Sequence, residues 1–200
     1  MSSDICEVML EAYNRGWIST RDGNCSFRLG GMDEITITPS GLKKNRLAPG
    51  DLIDIPIYNS SLVLGDSAPS GELSMHWNLL SSAKSDRCVL HLHPTYIIAA
   101  MMTGAELSSI AELFPEVSRY TRVGENVPAL QATSSELASA TYRNLSSHLR
   151  PGEVAFDIVG QKFHGACAVG GSVYEAFEHM ERLEHVCKIY LASGINLNGI

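Results

Sequence analysis

An α/β sandwich built on a mainly antiparallel sheet is the fold this sequence predicts, and three observations predict it. Helical and strand periodicities are mixed along the chain. Many strands are joined by turns of hairpin length, and the strand–helix–strand rhythm of a parallel sheet is poor.

The elements follow in order. Ile5 to Trp17 places Val8, Met9, Ala12 and Tyr13 on one stripe, a helical pattern. Asp22-Gly23-Asn24 is a turn signal, after which Cys25 to Leu29 and Glu34 to Thr38 alternate as strands around Gly30-Gly31. Thr38-Pro39-Ser40-Gly41 is a loop. Asp51 to Ile57 alternates again, and Leu62 to Leu64 forms a further short apolar run. Ala68-Pro69-Ser70-Gly71 breaks the chain before a helix from Ser74 to Ser82. Arg87 to His93 is a strand stopped by Pro94, and Thr95 to Met102 a short apolar helix. Gly104 to Pro128 carries no clear period. Ser134 to Leu149 repeats Leu137, Ala140, Thr141, Leu145 and Leu149 at helical spacing, and Val154 to Val159 and Gly165 to Val169 read as strands. Ser172 to Leu191 is the strongest helix, with Val173, Phe177, Met180, Leu183, Cys187 and Tyr190 as its buried stripe.

Two hundred residues suit a single domain, 1–200, whose core needs neither disulfides nor a structural metal. Apolar residues make up 44% and charged residues 18%, a globular composition. A net charge of −7 excludes a nucleic-acid surface, which needs clustered Lys and Arg. The longest wholly apolar run, Tyr96 to Met102, is far short of a membrane span, and Met1-Ser2-Ser3-Asp4 lacks the basic start of a secretory signal. Cys6, Cys25, Cys88, Cys167 and Cys187 are odd in number and scattered, so they read as reduced packing thiols of a cytoplasmic protein.

The chemistry concentrates in a few positions. His91 and His93 lie two apart on a predicted strand, so both imidazoles point to one face and can converge on a metal ion. His164, at the junction of two predicted strands and followed by Gly165, completes a three-histidine set that leaves zinc an open position. His76, His148, His179 and His185 fall on predicted helices among polar neighbours and read as surface or helix-packing residues. Glu72, at the start of a helix, is a candidate general base beside the metal. Gly23-Asn24-Cys25-Ser26, Thr38-Pro39-Ser40-Gly41 and Ser70-Gly71 each pair a hydroxyl or amide with a Gly, which suits a phosphate cradle. Lys43 and Arg46, close by in sequence, read as a solvated loop face.

Taken together, Gly23-Asn24-x-Ser26, Ile37-Thr38-Pro39-Ser40-Gly41, Pro69-Ser70-Gly71-Glu72, His91-x-His93-Pro94 and His164-Gly165 followed by Ala168-Val169-Gly170 resemble the class II aldolase/adducin family. The resemblance covers Glu7 to Tyr190. It implies a three-layer α/β/α sandwich around an antiparallel sheet, a homotetramer with sites between subunits, and zinc on His91, His93 and His164. It implies Glu72 as the acid/base group, phosphate held by Asn24, Ser40, Gly41, Ser70 and Gly71, and a proton-donating Tyr from a neighbouring subunit, for which Tyr120 is the nearest match. The implied reaction is cleavage or formation of a carbon–carbon bond in a small ketose phosphate through an enediolate. Epimerisation, dehydration or decarboxylation on the same site, or an adducin-like interaction domain without catalysis, are the alternatives. Two positions depart from the family: Gly71 stands where the aldolases usually carry a second Ser, and Gln161-Lys162-Phe163 lacks the polar residue common just before the third histidine.

Overall fold

A computed structural model describes residues 1–59, 68–147 and 149–195. Its helices are α1 (Ser2–Asn14), α2 (Leu73–Leu80), α3 (Thr95–Met102), α4 (Leu107–Glu112), α5 (Pro115–Tyr120), α6 (Ser135–Ser146) and α7 (Val173–Ser193). The strands are β1 (Asn24–Arg28), β2 (Glu34–Ile37), β3 (Ile53–Pro56), β4 (Arg87–Leu92), β5 (Ile158–Gln161) and β6 (Gly165–Gly170). They form one sheet in the order β3-β2-β1-β4-β6-β5, with every strand pair antiparallel.

Helices cover both faces, so the architecture is the expected α/β/α sandwich. Alternate residues of a strand face opposite ways. Cys25 and Phe27 of β1, Cys88, Leu90 and Leu92 of β4, and Ala166 and Ala168 of β6 meet α1, α3, α4 and α7 in one buried cluster. Val89 of β4 and Cys167 and Val169 of β6 meet α2 and α6 in another. By the same parity Asn24, Ser26 and His91 face the α2 side, and the strand register sets Asn24 opposite His91 and His91 opposite Cys167.

The helix boundaries have physical causes. The Ser172 hydroxyl caps α7 by accepting from the Glu175 amide at 3.1 Å, and Gly194 closes it with a left-handed φ of 69°. All six residues of the expected α7 stripe are buried. Ser134 caps α6 through the Leu137 amide. Arg28 is buried, and its Nη1 donates to the carbonyls of Leu80, Ser81 and Ala83, which ties the C-terminal end of α2 to β1.

Three expectations change. α6 ends at Ser146, so Leu149 is 45% exposed rather than part of the stripe. The strand expected from Val154 begins only at Ile158: the Ala155 and Phe156 amides bond to the Leu145 carbonyl at the end of α6, and Asp157 pairs with Arg122. Gly104 to Pro128 holds α4 and α5, then joins the sheet edge through parallel bridges from Val123 to Ile158 and Val127 to Gln161. The run Leu62 to Leu64 and His148 lie outside the described residues. The five cysteines are unpaired, and all but Cys6 are buried. No helix among the described residues is long and apolar enough to cross a membrane.

Candidate active site

The end of β4 brings the three candidate histidines together. His91 is buried at the penultimate position of the strand, His93 follows just beyond its end, and His164 ends the β5–β6 hairpin loop. One nitrogen from each ring lies within 4.8 Å of the others. The His91 Nδ1–H donates to the Ala166 carbonyl at 3.0 Å, so its Nε2 keeps a lone pair. That Nε2 lies 2.9 Å from Nε2 of His93. Two lone pairs at this spacing repel unless a proton or a cation stands between them. Burial pushes the pKa of His91 well below the ordinary value, reinforced by His93 and His164, and lowers that of His93 as well. Neutral imidazoles are what a metal ion binds.

Glu72, buried at the N-cap of α2, faces this cluster. Its Oε2 is 3.2 Å from His91 Nε2, and its Oε1 is 3.9 Å from His164 Nε2. Among the described residues, Glu72 Oε1 and His164 Nδ1 are buried without a hydrogen-bond partner. Buried polar atoms are nearly always paired, so orphans at this place fit a bound cation. The donor set of three imidazoles and a carboxylate is one that zinc accepts.

Gly165 lets the rings approach. A Cβ there would lie 2.3 Å from the Leu92 carbonyl oxygen and 2.8 Å from His93 Cδ2. Gly165→Ala should therefore destabilise the protein by about 1–3 kcal/mol or more, because the obstructing oxygen is backbone. Thermal unfolding would register this as a Tm lowered by roughly 2–4 °C per kcal/mol at this chain length, and an unchanged Tm would contradict the packing account.

A cleft of about 190 Å³ opens beside the histidines, lined by Asn24, Ser40, Gly41, Ser70, Gly71, Glu72, His93 and His164 among others. It is smaller than the roughly 300–1,000 Å³ of drug-sized pockets, which suits a small substrate. The two Ser-Gly loops meet because they pair: the Ser40 amide donates to the Ala68 carbonyl and the Ser70 amide to the Thr38 carbonyl. Those two amides are thus engaged, and the cradle narrows to the Ser hydroxyls and the glycine backbone. Asn24 is engaged too, with Nδ2 donating to Glu72 Oε2 at 2.9 Å.

The sequence reading missed four lining residues, Arg21, Lys44, Ala132 and Thr133. Lys44, buried to 2% exposure, donates through Nζ to the Pro39 carbonyl at 2.9 Å, and burial lowers its pKa. It lines the cleft together with the exposed Arg21, whereas Lys43 and Arg46, also exposed, do not line it. The signal was one Lys among three basic residues, with no period to choose between them. Ala132 and Thr133 enter from the segment before α6. Thr133 has a φ of 62°, rare for a β-branched residue, and its Cγ2 would be 3.2 Å from a Cβ at position 71. The departure from Ser to Gly71 makes room for this side chain.

Of the two roles expected for His76, surface or helix packing, the structure shows the second: it is fully buried and bonded to Ser26 and Asn24. His179 is a packing residue bonded to Thr121, and His185 is exposed. Tyr120 is 51% exposed and does not line the Glu72 cleft. It lines a separate cleft with Phe114, Val117, Arg182 and Ile189.

Comparison with known proteins now decides the family. Residues 3–191 match the class II aldolase and adducin N-terminal domain. The chain belongs to the class II aldolase and adducin family. An L-fuculose phosphate aldolase from Methanococcus maripaludis is 29% identical over 185 residues, covering 92% of this chain and 91% of that one. A methylthioribulose-1-phosphate dehydratase from Methylococcus capsulatus is 30% identical over 178 residues, covering 86% and 83%. The crystal structure of L-fuculose-1-phosphate aldolase from Thermus thermophilus superposes with a TM-score of 0.73 at 24% identity, covering 94% of this chain and 92% of that one. A longer relative from Nocardia farcinica, a probable bifunctional methylthioribose-1-phosphate isomerase and methylthioribulose-1-phosphate dehydratase, is 27% identical, and the chain spans 35% of its length. The sandwich fold of the family thus holds for this chain, while its relatives carry out different lyase reactions.

Proposed function

We propose that this class II aldolase-family chain is a zinc-dependent aldolase that makes or breaks a carbon–carbon bond in a small ketose phosphate. The observation that carries the reading is Glu72 Oε2, 3.2 Å from His91 Nε2 at the edge of a small polar cleft. It sets a proton-transfer group beside a three-histidine metal donor set. Zinc on His91, His93 and His164 would supply Lewis acidity to the substrate's carbonyl and hydroxyl oxygens. Glu72 moves the proton at the carbon that gains or loses the bond. Ser40, Gly41, Ser70 and Gly71 hold the phosphate, with Asn24 beside them and Lys44 supplying charge, and binding there fixes orientation.

Dehydration is the second reading, favoured by the 30% identity to a methylthioribulose-1-phosphate dehydratase. An adducin-like domain without catalysis does not account for a buried Glu72 facing three histidines. The test is a screen of zinc-loaded protein. Release of dihydroxyacetone phosphate from fuculose phosphate supports the aldolase. Loss of water from methylthioribulose 1-phosphate with the carbon chain intact moves the assignment to a dehydratase. No reaction with any ketose phosphate would overturn both.

The phosphate reading makes its own prediction. Inorganic phosphate should raise the Tm, and Ser40→Ala should weaken the effect by about 10–100-fold in affinity, the worth of one hydrogen bond to a charged oxygen. Equal protection in the variant would remove Ser40 from the cradle.

We also propose a homotetramer in which Tyr120 serves the cleft of a neighbouring subunit. Tyr120 stands outside its own Glu72 cleft, on a partly apolar face with Phe114, Val117 and Ile189. Light scattering at micromolar concentration checks it, and a stable monomer would leave Tyr120 without a reacting site. Unpaired thiols suit a reducing compartment, and we place the enzyme in the cytoplasm.

A further inference from the structure

His76 lies one helical turn beyond Glu72 on α2, fully buried on the face turned to β1. A line of hydrogen bonds runs through it. The Ser26 hydroxyl is 2.5 Å from His76 Nδ1, His76 Nε2 meets Asn24 Oδ1, and Asn24 Nδ2 donates to Glu72 Oε2 at 2.9 Å.

Chemistry fixes the direction of every bond in this line. A carboxylate only accepts, so Asn24 must turn its NH2 toward Glu72 and its carbonyl oxygen toward His76. That oxygen also only accepts, so His76 must carry a proton on Nε2. A neutral ring then has a lone pair on Nδ1, which accepts a hydrogen bond donated by the Ser26 hydroxyl. Burial supports neutrality, since it holds the His76 pKa down to about 3. At the far end, Glu72 Oε1 has no hydrogen-bond partner among the described residues, so the bond from Asn24 is what orients the carboxylate.

We propose that His76 is a positioning residue, whose Nε2–H holds the Asn24 amide in the one orientation that donates to Glu72 and aims it at the histidine cluster. One Asn24 N–H thereby serves the acid/base group, which leaves the second for the cleft. Without a donor at position 76, the Asn24 oxygen is left buried without its partner, and the amide can shift to find another and loosen its bond to Glu72. Glu72 then turns away. The consequence for turnover rests on Glu72 being the acid/base group; the hydrogen-bond direction does not.

Four measurements test this. Long-range ¹H–¹⁵N NMR of the intact protein should find His76 protonated at Nε2 only, unchanged over about pH 5 to 9, as expected for a buried neutral ring. A crystal structure of His76→Leu, which keeps volume and loses the donor, should place Glu72 in a different rotamer. With a substrate the parent turns over, His76→Leu should lower kcat about 10–100-fold with KM nearly unchanged, the usual effect of losing such a supporting group. His76→Gln, which retains an N–H at the Nε2 place, should recover most of that loss. A proton on Nδ1, an unmoved Glu72 in His76→Leu, parental kcat in that variant, or equal loss in His76→Gln would each overturn the proposal. If His76→Leu does not fold, the tautomer and the kcat of His76→Gln and Ser26→Ala decide, because Ser26→Ala frees the ring and should lower kcat in the same direction. Should the parent turn over no sugar phosphate, the functional reading fails alone, and the tautomer and Glu72 rotamer still judge the positioning.

Discussion

Replacing His91 and His93 together by alanine should abolish stoichiometric metal binding. The parent should hold about one equivalent of divalent metal per chain after dialysis, and the variant close to none. The expectation rests on convergence: three rings offer nitrogens within 4.8 Å, and His91 is oriented by its Nδ1 bond to Ala166. With two rings gone, His164 and Glu72 remain, too few to complete a zinc site. Thermal unfolding gives an independent reading. Zinc at a thousandfold its Kd should stabilise the parent by roughly 4 kcal/mol and the variant hardly at all. Removing His91 also leaves a cavity at a fully buried position and strips the Ala166 carbonyl of its donor, so the variant should be less stable without metal too. Metal bound as tightly by the double variant as by the parent would show that these histidines are not the ligands.

The parts of this site legible in the sequence are those set by local spacing. His91-x-His93 was readable because strand parity puts both rings on one face, and Pro94 marked where the strand stops and α3 begins. The α7 stripe was readable because eighteen or more residues repeat one period. What tertiary contacts decide was not readable. His76 looks like a polar helix position beside Ser74 and Asn78, and only the packing of α2 on β1 shows that Ser26 and Asn24 enclose it. Lys44 differs from Lys43 by one step in a tight turn that buries one and exposes the other. α4 and α5 are six residues each, lack side-chain caps and are fixed by contacts with α7, so they left little periodicity to find. Ala155 to Asp157 has strand-like neighbours but spends its amides on Leu145 and Arg122.

Glu72→Gln should give a folded protein whose turnover falls by roughly 10²–10⁴-fold, the usual worth of a general acid/base group. The substitution keeps the side chain's size, and Gln can still accept from Asn24 Nδ2 through its own carbonyl oxygen, so the Asn24–His76–Ser26 line survives. The place of Oε1, which has no partner among the described residues, would be taken by an NH2 group. Stability should therefore change little, or improve without metal, because a buried carboxylate with one orphaned oxygen is replaced by a neutral amide. Metal content separates two roles. A carboxylate that only moves protons can be lost with the metal retained, whereas one that is also a ligand takes affinity with it. We expect zinc near one equivalent with lower affinity, since Glu72 stands 3.2 Å from His91 Nε2. Loss of kcat with KM little altered places the effect in the chemical step. Near-parental turnover by a well-folded, zinc-loaded Glu72→Gln enzyme would remove Glu72 from the mechanism and return the acid/base role to another group lining the cleft.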